Sequence, residues 1–123
     1  MTIQECYRQL DGNFGRAKKL LTSEPLVKRF IVMFLEDDSF RTLCTAMEQG
    51  CCEEAFRAAH TLKGICGNLS LDRLYDSASQ LAELLRPGNG DIPLRAYALF
   101  EAVKVDYQLT ACAIRDFRDS NAS

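Results

Sequence analysis

The chain of 123 residues is 47% hydrophobic and 26% charged, a composition that buries one core and so reads as a single domain over 1–123. Its formal net charge of -2 lacks the basic excess with which nucleic-acid binders meet phosphate backbones, so nucleic acid is not an expected partner. The opening Met1-Thr2-Ile3-Gln4-Glu5 leads into no apolar run, and the most apolar stretch, Leu26 to Leu35, is interrupted by Lys28 and Arg29; no signal peptide, no membrane span and a cytoplasmic location are expected.

Gly, Pro and Asn punctuate long stretches of helical periodicity, and no sustained alternation of period two occurs, so the predicted fold is all-α. Thr2 with Glu5 three residues on predicts a capping box for a short first helix that ends at Asp11-Gly12-Asn13. A second short helix is predicted from Phe14 to Leu21. Ser23 followed by Glu24-Pro25 starts the next, whose apolar face is Leu26, Val27, Phe30, Ile31 and Phe34. That helix is expected to break near Asp37-Asp38-Ser39 and to continue through Phe40, Leu43 and Met47 to a terminator at Gly50.

A long segment from Cys52 to about Gly67 follows, then a helix from Leu71 to Arg86 for which Ser70 is the expected cap. Pro87-Gly88-Asn89-Gly90 reads as a turn. The last helix is expected to start at Asp91 with Pro93 in its first turn and to run to about Phe117, with Leu94, Tyr97, Ala98, Phe100, Ala102, Val105, Leu109, Cys112 and Ile114 as candidates for burial. Asp119 to Ser123 form a polar, frayed tail. Short connections make successive long helices antiparallel neighbours, which predicts an up-down-up-down four-helix bundle over about 24–118, with the two short N-terminal helices covering one end.

The six cysteines, Cys6, Cys44, Cys51, Cys52, Cys66 and Cys112, contain no Cys-x-x-Cys pair, and only one histidine is present. Recognisable tetrahedral ligand spacings are missing, so no metal site is expected and the thiols read mostly as small buried hydrophobes. The vicinal Cys51-Cys52 pair has no role in that reading.

That one histidine is the candidate site. On its helix Ala55, Ala59, Leu62, Cys66 and Leu69 recur at spacings of four and three, a core-facing seam whose partner is Leu71, Leu74, Ala78, Leu81 and Leu85. The seam centres about 140° from His60 around the helix axis, which points the imidazole outward. Gly64 and Gly67 fall within about 40° of His60, flanked by Phe56 and Lys63. Two glycines inside a helix cost about 1 kcal/mol each relative to alanine, and what they supply is room for another molecule beside the imidazole. Spacing alone is equally consistent with Gly67 ending the helix, Gly64 being tolerated slack and Lys63 a solvated surface lysine.

The run His60-Thr61-Leu62-Lys63-Gly64-Ile65-Cys66-Gly67-Asn68-Leu69 closely resembles the phosphorylation motif of histidine-containing phosphotransfer (HPt) domains of bacterial two-component phosphorelays, His-x-Leu-Lys-Gly followed by Leu-Gly. The upstream Ala58-Ala59 and the downstream leucine-rich helix extend the likeness over essentially the whole chain. The resemblance implies a four-helix bundle that accepts a phosphoryl group from a receiver-domain aspartate and passes it to another receiver. It implies His60 as phosphoacceptor, Lys63 as the cation near the phosphoryl oxygens and Gly64 as clearance, with Phe56, Gly67 and Ser79 on the docking face. The implied partners are response-regulator receiver domains and hybrid histidine kinases. Any Mg²⁺ is expected on the receiver, since no acidic cluster in the sequence adjoins His60, and the chain is expected to bind no cofactor and to act as a monomer.

Two positions depart from the family pattern. Ser70 stands where glycine is common, and Ala82 where the next helix often offers the histidine a polar residue, leaving Ser79 as the one side chain that could orient the imidazole. A sensor-kinase phosphoacceptor domain fits less well, because Thr61 rather than an acidic residue follows the histidine and no proline comes before Pro87. No Gly-rich nucleotide loop is present, so ATP-dependent autokinase activity is not expected. The alternative of another class is a helical adaptor, or a degenerate phosphotransfer module, that binds a signalling partner through the His60 face without chemistry.

Overall fold

The computed structural model describes residues 1–86 and 88–121. Seven α-helices follow one another: α1 (Ile3–Leu10), α2 (Phe14–Leu21), α3 (Glu24–Met33), α4 (Ser39–Gln49), α5 (Cys52–Leu69), α6 (Asp72–Leu84) and α7 (Leu94–Ser120), with a 3₁₀ turn at Phe34–Glu36. No strand occurs among the described residues. The broken α3/α4 unit, α5, α6 and α7 form the predicted antiparallel bundle, each packed on the next in chain order, and α3 and α4 close the ring against α7 through Phe34 and Phe40 on Tyr107.

Most helix ends follow the local chemistry read from the sequence. Thr2 and Glu5 form the reciprocal capping box, and the Asn13 and Ser23 side chains cap α2 and α3. The α3/α4 break is made by Asp37, whose backbone is extended and whose Oδ2 accepts from Ser39 N at 2.9 Å. Gly50 ends α4 in the left-handed region, φ 71°.

Ser70 differs from its expected role. It ends α5 in the left-handed region, φ 52°, and α6 starts two residues later. The reason is geometric: its N–H and that of Leu71 return to the last carbonyls of α5, while its hydroxyl donates to Asp72 Oδ1 at 2.9 Å. A position in this conformation favours glycine, which accounts for the family pattern there.

The two seams are buried as read, all ten side chains lying at 5% exposure or less. The α7 face is not. Of the expected set only Phe100 and Ile114 are buried, together with Ala96, Val103, Asp106, Thr110, Ala111, Ala113 and Phe117; Leu94, Tyr97, Ala98, Ala102, Val105, Leu109 and Cys112 are exposed. The inward face repeats at spacings of four and three through Ala96, Phe100, Val103, Tyr107, Thr110, Ile114 and Phe117, a seam that the expected set mixed with the outward one, and it also buries the polar Asp106. Asp106 tolerates its burial because Arg73 Nε on α6 donates to it at 2.8 Å. α7 also begins at Leu94, not Asp91, with Pro93 just outside it, and remains helical through Asp119 and Ser120, so the polar tail is ordered that far. Pro87 of the expected turn and residues 122–123 of the expected tail lie outside the described residues; Gly88 and Gly90 take φ 67° and 75°, as a turn requires.

The short helices cap the end where α5 turns into α6. Tyr7 is fully buried and donates its hydroxyl to Leu69 O at 2.7 Å. Asn13 N donates to Ser70 O and Arg73 N to Asp11 O, so the α1–α2 turn is laced to the α5–α6 turn. Gly12 permits that approach: a Cβ there would lie 2.6 Å from Ser70 O and 2.7 Å from Leu10 Cδ1. Gly12→Ala is therefore expected to lower the unfolding free energy by about 1–3 kcal/mol, measured by urea denaturation.

Candidate functional site

The seam of α5 is its inward face, so the outward face presents His60, Gly64 and Asn68, all exposed, with Gly67 half-buried. Glu53 and Glu54 in the first turn complement the helix dipole, and Arg57 pairs with Glu53 along the same surface. The imidazole stacks on Phe56 one turn back, ring centroids 5.8 Å apart at 25°. Phe56 is itself half-buried, close enough to the α6–α7 loop that a Cβ on Gly88 would lie 3.8 Å from its Cδ2. The side chain that constrains the histidine ring is thus Phe56, which the sequence offered only as a docking residue.

The two glycines differ in their surroundings. A Cβ on Gly64 would find no atom within 4 Å, so the surface beside His60 is empty. A Cβ on Gly67 would lie 3.3 Å from Tyr75 Cε2; the space here is taken by a ring from α6, so at this position the absent side chain serves packing and not room for another molecule. The wheel treats α5 as an isolated cylinder, whereas Tyr75 reaches around its edge.

Lys63 is half-buried on the α6 side of His60, near enough to Glu83 that its charge helps hold that carboxyl below the usual range, after the larger effect of the hydrogen bond and charge of Arg86. Among the described residues no carboxylate lies within ion-pair distance of Lys63. Ser79 donates its hydroxyl to Tyr75 O at 2.6 Å, so its proton is committed to its own helix and only acceptor capacity remains. Ala82 is buried at 3% exposure and offers the imidazole no polar group.

Cys66 on the same helix offers no rival nucleophile to His60. Cys66 is fully buried, and desolvation pushes its thiol far above the ordinary range, with a smaller contribution from Asp37. Asp37, Asp38 and Glu54 line an open groove of about 520 Å³ between α4 and α5, with Arg57 and Thr61. Among the described residues no three of His, Cys, Asp and Glu converge as a metal-ligand set.

An apolar shelf borders the site on the α3 side, and sequence reasoning missed it. Phe30 and Met33 are 37% and 51% exposed and line a groove of about 330 Å³ with Leu21, Ile65 and Asn68. The available signal was the excess of apolar residues on α3: Leu26, Val27, Phe30, Ile31, Met33 and Phe34 span more of the helix than one core-facing stripe needs. Only Val27, Ile31 and Phe34 are buried.

The arrangement is an all-helical bundle with its one imidazole exposed on a helix face beside the unfilled surface at Gly64. The Hpt domain family matches residues 29–115, and the chain belongs to that family, which gives it a histidine-phosphotransfer role in phosphorelay signalling. No curated protein and no solved structure matches the chain.

The empty space at Gly64 can be tested directly. Gly64→Ala is expected to stabilise the helix by up to about 1 kcal/mol. Gly64→Gln is expected to be at least as stable as the parent and to cut transfer from a phosphorylated receiver at least ~10-fold by blocking its approach, while phosphoramidate still labels His60. Thermal melts and both labelling reactions check this, and a large loss of stability would place Gly64 in the core.

Proposed function

We propose that the chain is a phosphorelay intermediate that takes a phosphoryl group onto His60 from the aspartate of one receiver domain and passes it to another. The exposed imidazole beside the unfilled surface at Gly64, in a bundle of the Hpt family, carries this reading. In the forward step a ring nitrogen lone pair forms the P–N bond as the P–O bond to the donor aspartate breaks, and the electron pair returns to the carboxylate. The second step reverses this onto another receiver's aspartate. Lys63 offsets the charge on the three transferring oxygens, and Phe56 restricts the ring to orientations that keep its edge toward solvent.

Phe56 and Gly64 form the floor against which a receiver docks, with Gly67, covered in part by Tyr75, at one side and Ser79 at its α6 edge. Response-regulator receivers and hybrid histidine kinases are the partners, any Mg²⁺ sits on the receiver, and this chain binds no cofactor. The reaction belongs to the cytoplasm, and no helix among the described residues is long and apolar enough to cross a membrane. One chain supplies every residue of the transfer site, so transfer itself needs only a monomer.

His60→Gln is expected to change stability by no more than about 0.5 kcal/mol, because the residue is exposed, and to abolish acid-labile phosphate after incubation with a phosphorylated receiver. Radiolabel transfer and circular dichroism on the same sample check it; wild-type labelling would move the site elsewhere, and labelling of neither protein by any receiver would favour the adaptor. Lys63→Ala is expected to retain acceptance but to slow transfer roughly 10-fold and shorten the lifetime of the phosphorylated form, read by quenched-flow transfer and decay.

A further inference from the structure

The outward face of α7 carries a second apolar seam that the bundle does not use. Ala98, Ala102, Val105, Leu109 and Cys112 recur at spacings of four, three, four and three, and all are exposed, Val105 at 60% and Leu109 at 38%. This is the heptad pattern of a helix that packs on another helix. Arg95 stands at one end of the seam and Asp116 at the other, both exposed, and neither takes part in an ion pair among the described residues.

We propose that α7 pairs antiparallel with α7 of a second copy of this chain, giving a two-fold dimer in place of the monomer expected from the sequence. A parallel pairing would set Arg95 against Arg95 and Asp116 against Asp116 and would stack large on large along the seam. The antiparallel register centred between Ala102 and Val105 sets Ala98 against Leu109 and Ala102 against Val105, small against large in every layer. It also brings Arg95 to within one turn of Asp116 of the second copy, a reach that an arginine side chain spans. At the level of Ala98 an open groove of about 730 Å³ runs between α6 and α7, lined by Gln80, Glu83, Leu84, Arg95, Ala98 and Leu99, and its Leu84, Ala98 and Leu99 side receives Leu109 of the second copy.

In the ring of four helices α7 lies diagonally across from α5. The dimer therefore leaves both His60 faces open and offers receivers two sites per particle.

Sedimentation velocity on the full chain over a concentration series from micromolar upward is the test. The parent is expected to dimerise. Val105→Asp places two carboxylates near the two-fold axis and is expected to raise the dissociation constant at least ~100-fold, with unchanged circular dichroism and unchanged phosphoramidate labelling of His60. Arg95→Glu is expected to weaken the dimer, and Arg95→Glu with Asp116→Arg to restore it. A monomer at every concentration overturns the proposal, as does a dimer indifferent to Val105→Asp. Failure of the charge swap to restore association, or oxidative cross-linking of Cys112 to Cys112 between copies, overturns the antiparallel register. Loss of phosphoramidate labelling in the dimer, recovered in Val105→Asp, overturns the claim that both His60 faces stay open.

Discussion

Burial of the α5 seam between its neighbours is the constraint on which the functional surface depends. Ala55, Ala59, Leu62, Cys66 and Leu69 can leave water together only at one rotation of the helix, and that rotation turns His60, Gly64 and Asn68 outward. Removing that apolar area from water stabilises by about 25 cal/mol per Å², so the orientation of the imidazole is enforced by the core rather than by hydrogen bonds at the site. The helix that carries the chemistry is thus also the helix the core holds most completely. A rigid element of this kind suits the nucleophilic role proposed for His60, in which the partner brings the other reacting group to a fixed target.

The short N-terminal helices tie down the far end of the same helix. Tyr7, Asn13 and the close approach at Gly12 bind the α1–α2 turn to Leu69 and Ser70, and Arg73 links that corner to Asp106 on α7. Fraying of α5 from its C-terminus would carry Gly67 and Gly64 with it, so these contacts hold the His60 face as well as closing the core. The same arrangement lays α2 and α3 beside the site and creates the shelf of Phe30 and Met33. Large apolar side chains at the edge of a cleared polar face are what a partner surface needs for a dry contact next to a solvated reacting group.

α7 carries two apolar faces and buries one of them. Its inward side contains Asp106, satisfied by Arg73, and Thr110, whose hydroxyl is buried without a partner. Its outward side displays Val105 and Leu109 in heptad register. Both stripes repeat at spacings of four and three, and contacts with α1, α6 and the α3/α4 break bury the one that carries Phe100, Val103, Ile114 and Phe117.

The sequence by itself determined what depends on neighbours along the chain. The capping box at Thr2 and Glu5, the break at Asp37-Asp38-Ser39, the left-handed stop at Gly50, the two seams and the outward rotation of His60 are all local or follow from a period of 3.6 residues. The family resemblance rested on the same contiguous run from His60 to Leu69, which the match over 29–115 supports. Tertiary structure alone decided what depends on contacts between distant segments. Gly67 is covered because Tyr75 arrives from α6. Ser70 stops a helix because Asn13 and the last α5 carbonyls claim its backbone. The burial of Asp106 on α7 rests on an ion pair across 33 residues of chain, and no single-helix periodicity can register a charge that is made tolerable only by its distant partner.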